Sequence, residues 1–388
     1  MKRLALLSVV VLLLIGLPLL GIILAGKSLD RYEEFPPITR YVQHAPFSWG
    51  LFLILAIFVS AVTGPFLVRV WSTTHKSHGR WRLEKPYPSQ SAFFPWWGWL
   101  GMGMLAIAWI LAWTRFSWFQ ALQAFTFSPL WLGYIIVVNA LTFRRMGRCM
   151  MLQRPAYFFM LFPLSAAFWW YFEYLNRFVQ NWYYVGIDSF TPGDYFLYAT
   201  LPFATVLPAV LGTTQWLATF PCLTRPLSHW RRIRIPRPRL VSGVVLLVGA
   251  AGLAWLGIWP NVLFAFLWTG PLLVMLSLQV LFGGDHLISD LQRGDWRSVW
   301  LPALAGLACG LLWELWNSRS LAHWEYAVPY VQRFSLFEMP LLGYAGYLPF
   351  GIECAVIADL FLARSNREAL ANEAPPKPPV GSGRGGGG

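Results

Sequence analysis

Acidic side chains are scarce in this chain: seventeen Asp and Glu stand against thirty Lys and Arg in 388 residues. Those that fall within apolar segments are the first candidates for chemistry, because an ionisable group in a bilayer centre costs about 2.5–3.5 kcal/mol. Glu173 and Glu314 end two such segments, and each is followed three residues on by an asparagine, Asn176 and Asn317. That spacing puts carboxyl and amide on one helical face. An aromatic pair comes next in each case, Trp182/Tyr184 and Trp324/Tyr326, and then a second acid, Asp194 and Glu338. A carboxyl group sheltered from water holds its proton more tightly and can serve as a general acid. Each set of residues therefore reads as proton-handling machinery near one membrane face. The plainer alternative is that the acids bond to neighbouring helices and loops, and that the rings form an interfacial belt.

The surrounding composition is 57% hydrophobic, 17% aromatic and 12% charged, with a mean hydropathy of +0.51. Soluble domains carry roughly 25% charged residues, so this chain cannot cover a soluble surface. A soluble enzyme, a disordered chain and a secreted disulfide scaffold are excluded. Four isolated cysteines give no metal or redox spacing. No histidine falls mid-span, which disfavours a haem pair, and no Walker loop, GxSxG or HExxH motif occurs. Nor is there an acid cluster of the DDxxD type that would hold a diphosphate through Mg²⁺. The net charge of +13 is spread in short runs between apolar spans, so no nucleic-acid partner is expected.

Ten segments reach the length a bilayer core requires: 4–25, 48–71, 94–114, 123–143, 156–176, 195–220, 240–259, 262–283, 298–316 and 338–362. With the N-terminus inside, 23 basic residues fall on the inner side and seven on the outer. The positive-inside rule then favours a bacterial inner-membrane protein with both termini cytoplasmic. The first segment reads as a retained anchor. The expected fold class is all-α and polytopic, with about ten transmembrane helices.

Self-comparison shows a duplication. Trp131-Leu132-Gly133 recurs as Trp268-Thr269-Gly270, Leu152-Gln153-Arg154 as Leu291-Gln292-Arg293, Phe172-Glu173-Tyr174-Leu175-Asn176 as Trp313-Glu314-Leu315-Trp316-Asn317, and Trp182-Tyr183-Tyr184 as Trp324-Glu325-Tyr326. The offsets drift only from 137 to 142. Two tandem four-helix repeats, 94–239 and 240–363, follow two N-terminal helices and a basic loop, 1–93. A Pro- and Gly-rich tail, 364–388, reads as flexible and cytoplasmic. An even number of spans per repeat gives both copies one orientation, as in parallel-repeat transporters.

Trp313-Glu314, then Trp324-x-Tyr326 beginning ten residues after Glu314, Pro329, and Phe337-Glu338-Met339-Pro340 resemble the membrane lycopene cyclase domain of bacterial and fungal carotenoid pathways. In the first copy Glu173 precedes Trp182 by nine, and Pro192-Gly193-Asp194-Tyr195-Phe196-Leu197-Tyr198 is similar to that family's Pro-x-acid-aromatic segment. The likeness covers about 45 residues of each copy. The family's paired glutamates are one acid per copy here, and Pro340 follows its acid. The resemblance implies a cofactor-free isoprenoid cyclase or isomerase, without a metal, acting on a long apolar substrate. Glu314 or Glu338 would protonate a terminal alkene, with Glu173 and Asp194 as first-copy counterparts. Trp182, Tyr184, Trp313, Trp324 and Tyr326 would face the substrate, their rings stabilising a carbocation. A remaining carboxylate would take a proton back, and Asn317, with Asn176 as its counterpart, would orient an acid. Two rivals remain. One is a parallel-repeat transporter or lipid carrier using Glu338, Glu353 and Asp359; the other is a non-catalytic subunit with membrane-protein partners.

Overall fold

The computed structural model describes residues 2–76, 93–283 and 286–362. Most of the expected basic loop, and the expected tail, lie outside the described residues. The chain is all-α. Its main helices are α1 (Lys2–Leu24), α2 (Trp49–Lys76), α3 (Trp96–Trp113), α4 (Phe127–Met146), α5 (Pro155–Val179), α6 (Pro192–Phe203), α7 (Val206–Ala218), α8 (Pro238–Ala254), α9 (Phe266–Leu281), α10 (Arg297–Asn317) and α11 (Tyr347–Leu362). Among the described residues, seven helical stretches are long and apolar enough to cross a bilayer by length and composition: α1, α2, α3, α4, α6 with α7, α10, and α11 with the 3-10 turn before it. The protein is thus a multi-pass membrane protein. α8 and α9 are apolar but shorter, and α5, though 25 residues long, is rich in tyrosine, tryptophan and polar residues towards its end.

The helices pack as neighbours in sequence, α3 on α4, α8 on α9 and α10 on α11, with α7 wedged between α4 and α10. α1 leans on α8, so closely that a β-carbon on Gly21 would lie 1.6 Å from the Ala254 carbonyl oxygen. α2 stands at the edge with most of its apolar side chains exposed, as a lipid-facing helix does.

Two local features shape the interior. The expected single span over 195–220 is broken after Phe203, where Pro202 and Pro208 interrupt the helical ladder. The Ser165 hydroxyl fills the gap, donating to the Phe203 carbonyl at 2.5 Å and accepting from the Leu207 N–H at 3.0 Å. It satisfies the two backbone groups that the broken helix leaves without each other. Second, α10 meets α11 across small residues. A β-carbon on Gly306 would come within 2.4 Å of the Tyr347 carbonyl oxygen, and one on Gly310 within 2.3 Å of the Tyr347 ring. Only glycine lets the Tyr347 side chain lie where it does.

At one end of the bundle the connectors form a small antiparallel ribbon of β1 (Trp182–Val185) and β2 (His323–Tyr326). A second hairpin, β3 (Ser335–Leu336) with β4 (Met339–Pro340), precedes α11. The last span therefore begins later than 338. The turn of that hairpin is Phe337-Glu338, with Phe337 at φ 55°, and Pro340 closes it before the 3-10 turn Leu341–Gly346.

Candidate functional site

The ribbon is the floor of the site. Its register opposes Trp182 to Tyr326 and Tyr184 to Trp324. Side chains alternate across a strand, so these four rings share one face. The backbone of Trp182 and Trp324 points away from the ladder, and each is held by an asparagine. Asn176 donates to the Trp182 carbonyl at 2.8 Å and accepts from its N–H at 3.4 Å. Asn317 does the same for Trp324 at 2.7 and 2.9 Å. A two-stranded ribbon is marginal alone; here both outer edges are closed by helix-borne amides. The asparagines therefore hold the ribbon that carries the tyrosines, and do not bond to the acids as expected of Asn317.

The acids meet the tyrosines from the helix side. Glu173 Oε1 accepts from the Tyr184 hydroxyl at 2.6 Å and from the indole N–H groups of Trp182 at 3.1 Å and Trp169 at 3.2 Å. Glu314 Oε1 accepts from the hydroxyls of Tyr347 at 2.6 Å and Tyr326 at 2.7 Å. The Tyr326 oxygen in turn accepts from the Trp324 indole at 2.8 Å. Burial pushes the Tyr184 and Tyr326 hydroxyls well above the ordinary phenol value, and the neighbouring glutamates push them further. Both phenols keep their protons and donate them to a carboxyl oxygen.

Above the ribbon lies a cavity of about 120 Å³. Its walls are aromatic: Trp169, Trp182, Tyr184, Trp313, Trp324, Tyr326 and Tyr347 line it, with Trp268 and residues of α6 closing the sides. The rings pack against one another, with Trp182 stacked on Trp268 at 5.6 Å and Trp313 on Tyr347 at 5.9 Å. The carboxyls stand behind this wall; the phenols are on it. A relay through a phenol is therefore the chemistry this geometry offers. A proton leaving the cavity passes to the phenol oxygen as the phenol proton passes to the carboxylate, and the reverse path delivers one.

The structure brings Glu173, Asn176, Trp182, Tyr184, Glu314, Asn317, Trp313, Trp324 and Tyr326 to this one place. Two expected acids do not join them. Asp194 closes a capping box at the start of α6, accepting from the Thr191 hydroxyl at 2.6 Å and its N–H at 3.1 Å. Its oxygens are used at the surface, for the helix terminus. Glu338 is half-exposed in the hairpin turn before α11, near enough for its charge to reach Glu314, while the hydroxyls that bond to Glu314 are those of Tyr326 and Tyr347. Tyr347, Trp169 and Trp268 were missed. Trp169 was recoverable, lying four residues before Glu173 on the same helical face. Tyr347 and Trp268 arrive through tertiary packing; Trp268 stood out only as part of the recurring Trp-x-Gly motif, which does not mark it as a cavity residue.

Comparison with protein-family models, curated proteins and solved structures gives no match.

Proposed function

We propose that this chain is a membrane-embedded acid–base enzyme of lycopene-cyclase type, acting on one end of a long apolar isoprenoid without net redox change. The observation that carries the proposal is an aromatic cavity whose wall presents tyrosine hydroxyls backed by two buried carboxyls. Its volume, the room of several water molecules, suits a terminal group, with the rest of the chain running between helices into lipid. A carboxyl proton reaches the terminal alkene through a phenol of one Glu–Tyr set. The cation is held against indole and phenol faces, and the other set removes a neighbouring proton. The matching bonds, Glu173 to Tyr184 with Asn176 to Trp182 and Glu314 to Tyr326 with Asn317 to Trp324, support two tandem four-helix repeats within ten spans. The basic residues support cytoplasmic termini in a bacterial inner membrane. The test is expression in a lycopene-accumulating host. Cyclised pigment that disappears in Glu314→Gln and falls at least about tenfold in Tyr347→Phe is expected. An unchanged pigment profile, with the protein confirmed in the membrane, overturns the proposal.

One further observation favours a carrier as the second reading. Glu353 on α11 is fully buried and has no ion pair or side-chain hydrogen-bond partner among the described residues. Unpaired intramembrane acids mark ion paths in transporters. Proton-coupled uptake abolished by Glu353→Gln supports this reading, and uptake indifferent to that change removes it.

A further inference from the structure

We propose that the two carboxyls, alike in their bonds to the ribbon, differ in access to water: Glu173 exchanges its proton with the outside through a polar cavity, and Glu314 is sealed from it. Its use in catalysis rests on the reading above; its geometry and its test do not.

The cavity, about 210 Å³, lies on the far side of Glu173 from the aromatic one and is lined by Thr39, Arg40, His44, Glu173, Arg177 and Tyr183, among others. A water needs about 10–15 Å³ of such space and two to four polar partners, and both requirements are met several times over. The connector between α1 and α2 forms the outer wall, clasped beside the cavity by the side chain of Gln180 and further along by Asn261. Gln180 Oε1 accepts from the N–H groups of Tyr41 and Val42, each at 2.8 Å, and its amide donates to the Thr39 carbonyl at 2.8 Å. His44 Nε2 lies 3.0 Å from the Val179 carbonyl oxygen, and the Tyr41 hydroxyl donates to that of Arg177. Arg40 lies over the Tyr183 ring at 3.2 Å. Carbonyls of a helix C-terminus, guanidinium groups and an imidazole make a wall that suits water and mobile protons better than a bound anion, which the terminal carbonyls oppose.

Around Glu314 the facing groups are Tyr326 and Tyr347, which bond to it, and Trp324, with Tyr344 and the half-exposed Glu338 beyond them. Glu314 is 0% exposed against 5% for Glu173, and its Oε2 is buried without a hydrogen-bond partner among the described residues. The residues corresponding to Arg177 and Gln180, 141 positions on, are Ser318 and Leu321. The second copy thus lacks the amide that clasps the connector, and its nearest cation, Arg319, lies over the Trp113 ring at 5.2 Å instead. The groups facing Glu173 are Trp169 and Arg177 from α5, Trp182, Tyr183 and Tyr184 from the ribbon, Arg40 and His44 from the connector, and Tyr195 from α6. Glu173 is in this way the group through which protons enter and leave, and Glu314 the group that keeps its proton inventory within the site.

The experiment is infrared spectroscopy of the full chain in lipid nanodiscs, with carboxyl bands assigned by Glu173→Gln and Glu314→Gln, or by Glu→Asp band shifts where a glutamine variant does not fold. After a jump in bath pH or transfer to D₂O, the Glu173 signal is expected to respond at least about tenfold faster than that of Glu314. Val42→Trp, which fills the polar cavity, is expected to slow Glu173 by a similar factor and leave Glu314 unchanged. Equal rates, a faster Glu314, or a Glu173 band that Val42→Trp does not slow overturns the proposal. A protein without cyclase activity that still shows the two rates refutes the enzyme reading alone.

Discussion

Replacing Asn317 with alanine tests whether the ribbon is held from the helices. The side chain makes two bonds to the Trp324 backbone, at 2.7 and 2.9 Å, and is fully buried. Each bond contributes about 1 kcal/mol net, and a backbone group left buried without a partner costs about 1–3 kcal/mol. Trp324 is only part-buried, so water can reach some of what is freed. The sum comes to about 2–4 kcal/mol. Asn176 makes the equivalent bonds to Trp182 at 2.8 and 3.4 Å. The longer contact contributes little, and Asn176→Ala should cost only about 1–2 kcal/mol. Because both amides act on one ribbon, the double variant should lose less than the two single losses added, since the first freed edge already loosens the second. Denaturant unfolding in detergent, with hydrogen exchange over 181–186 and 322–327 as the local readout, measures all three. Losses below about 0.5 kcal/mol, or Asn176→Ala costing more than Asn317→Ala, would refute the assignment of these residues as clasps.

Three further outcomes follow from the packing. Ser165→Ala removes the hydroxyl that joins Phe203 to Leu207; it should destabilise by about 1–3 kcal/mol and raise hydrogen exchange at 203–207 specifically. Gly310→Ala drives a methyl into the Tyr347 ring, costing about 1–3 kcal/mol by overpacking; pigment cyclisation should fall with it, whereas Gly243→Ala, at an open position on α8, should leave both unchanged. Burial lowers the pKa of His44 below the ordinary 6.5 despite its contact with the Val179 carbonyl. The unfolded chain then binds the extra proton first, so the stability tied to neutral His44 is present above pH 6.5 and lost as pH falls through the lowered folded value. Thermal unfolding in detergent from about pH 7.5 down to pH 5 should show this slope in the wild type and a shallower one in His44→Gln.

The pairing of Glu173 with Asn176 and of Glu314 with Asn317 was legible because it is helical spacing written twice, and the duplicated Trp-x-Tyr marked the rings that share the ribbon face. Apolar length located the helices. Local chemistry explains two of the departures. Thr191-Pro192-Gly193-Asp194 is a capping sequence, and reading it so would have assigned Asp194 to a helix terminus from the start. The positive φ at Phe337, which turns Glu338 into a hairpin tip, leaves no mark in a sequence that carries phenylalanine there. Tyr347 was out of reach for a different reason. Its place depends on the close approach of α10 and α11 at Gly306, Gly310 and Gly351, and small residues on two helices do not say which aromatic side chain will fill the contact. The connector that forms the polar cavity is likewise placed by Gln180, about 140 residues away in sequence.

The antiparallel register of the ribbon decides a question that two similar segments leave open, whether they make two sites or one. Had each strand folded back on its own helix, Trp182 and Tyr184 would enclose one small pocket and Trp324 and Tyr326 another. Pairing Trp182 with Tyr326 and Tyr184 with Trp324 puts a ring from each segment against a ring from the other, so the single cavity is bounded by both. A molecule inside it touches Tyr184, backed by Glu173, and Tyr326 and Tyr347, backed by Glu314, at the same time. On the acid–base reading proposed above, proton donation and proton removal need two groups held in different states, and identical surroundings would hold them in the same one. The connector supplies the difference: it places polar, water-sized space against one carboxyl and leaves the other enclosed. The connector between α1 and α2 is thus what makes two similarly bonded acids unequal.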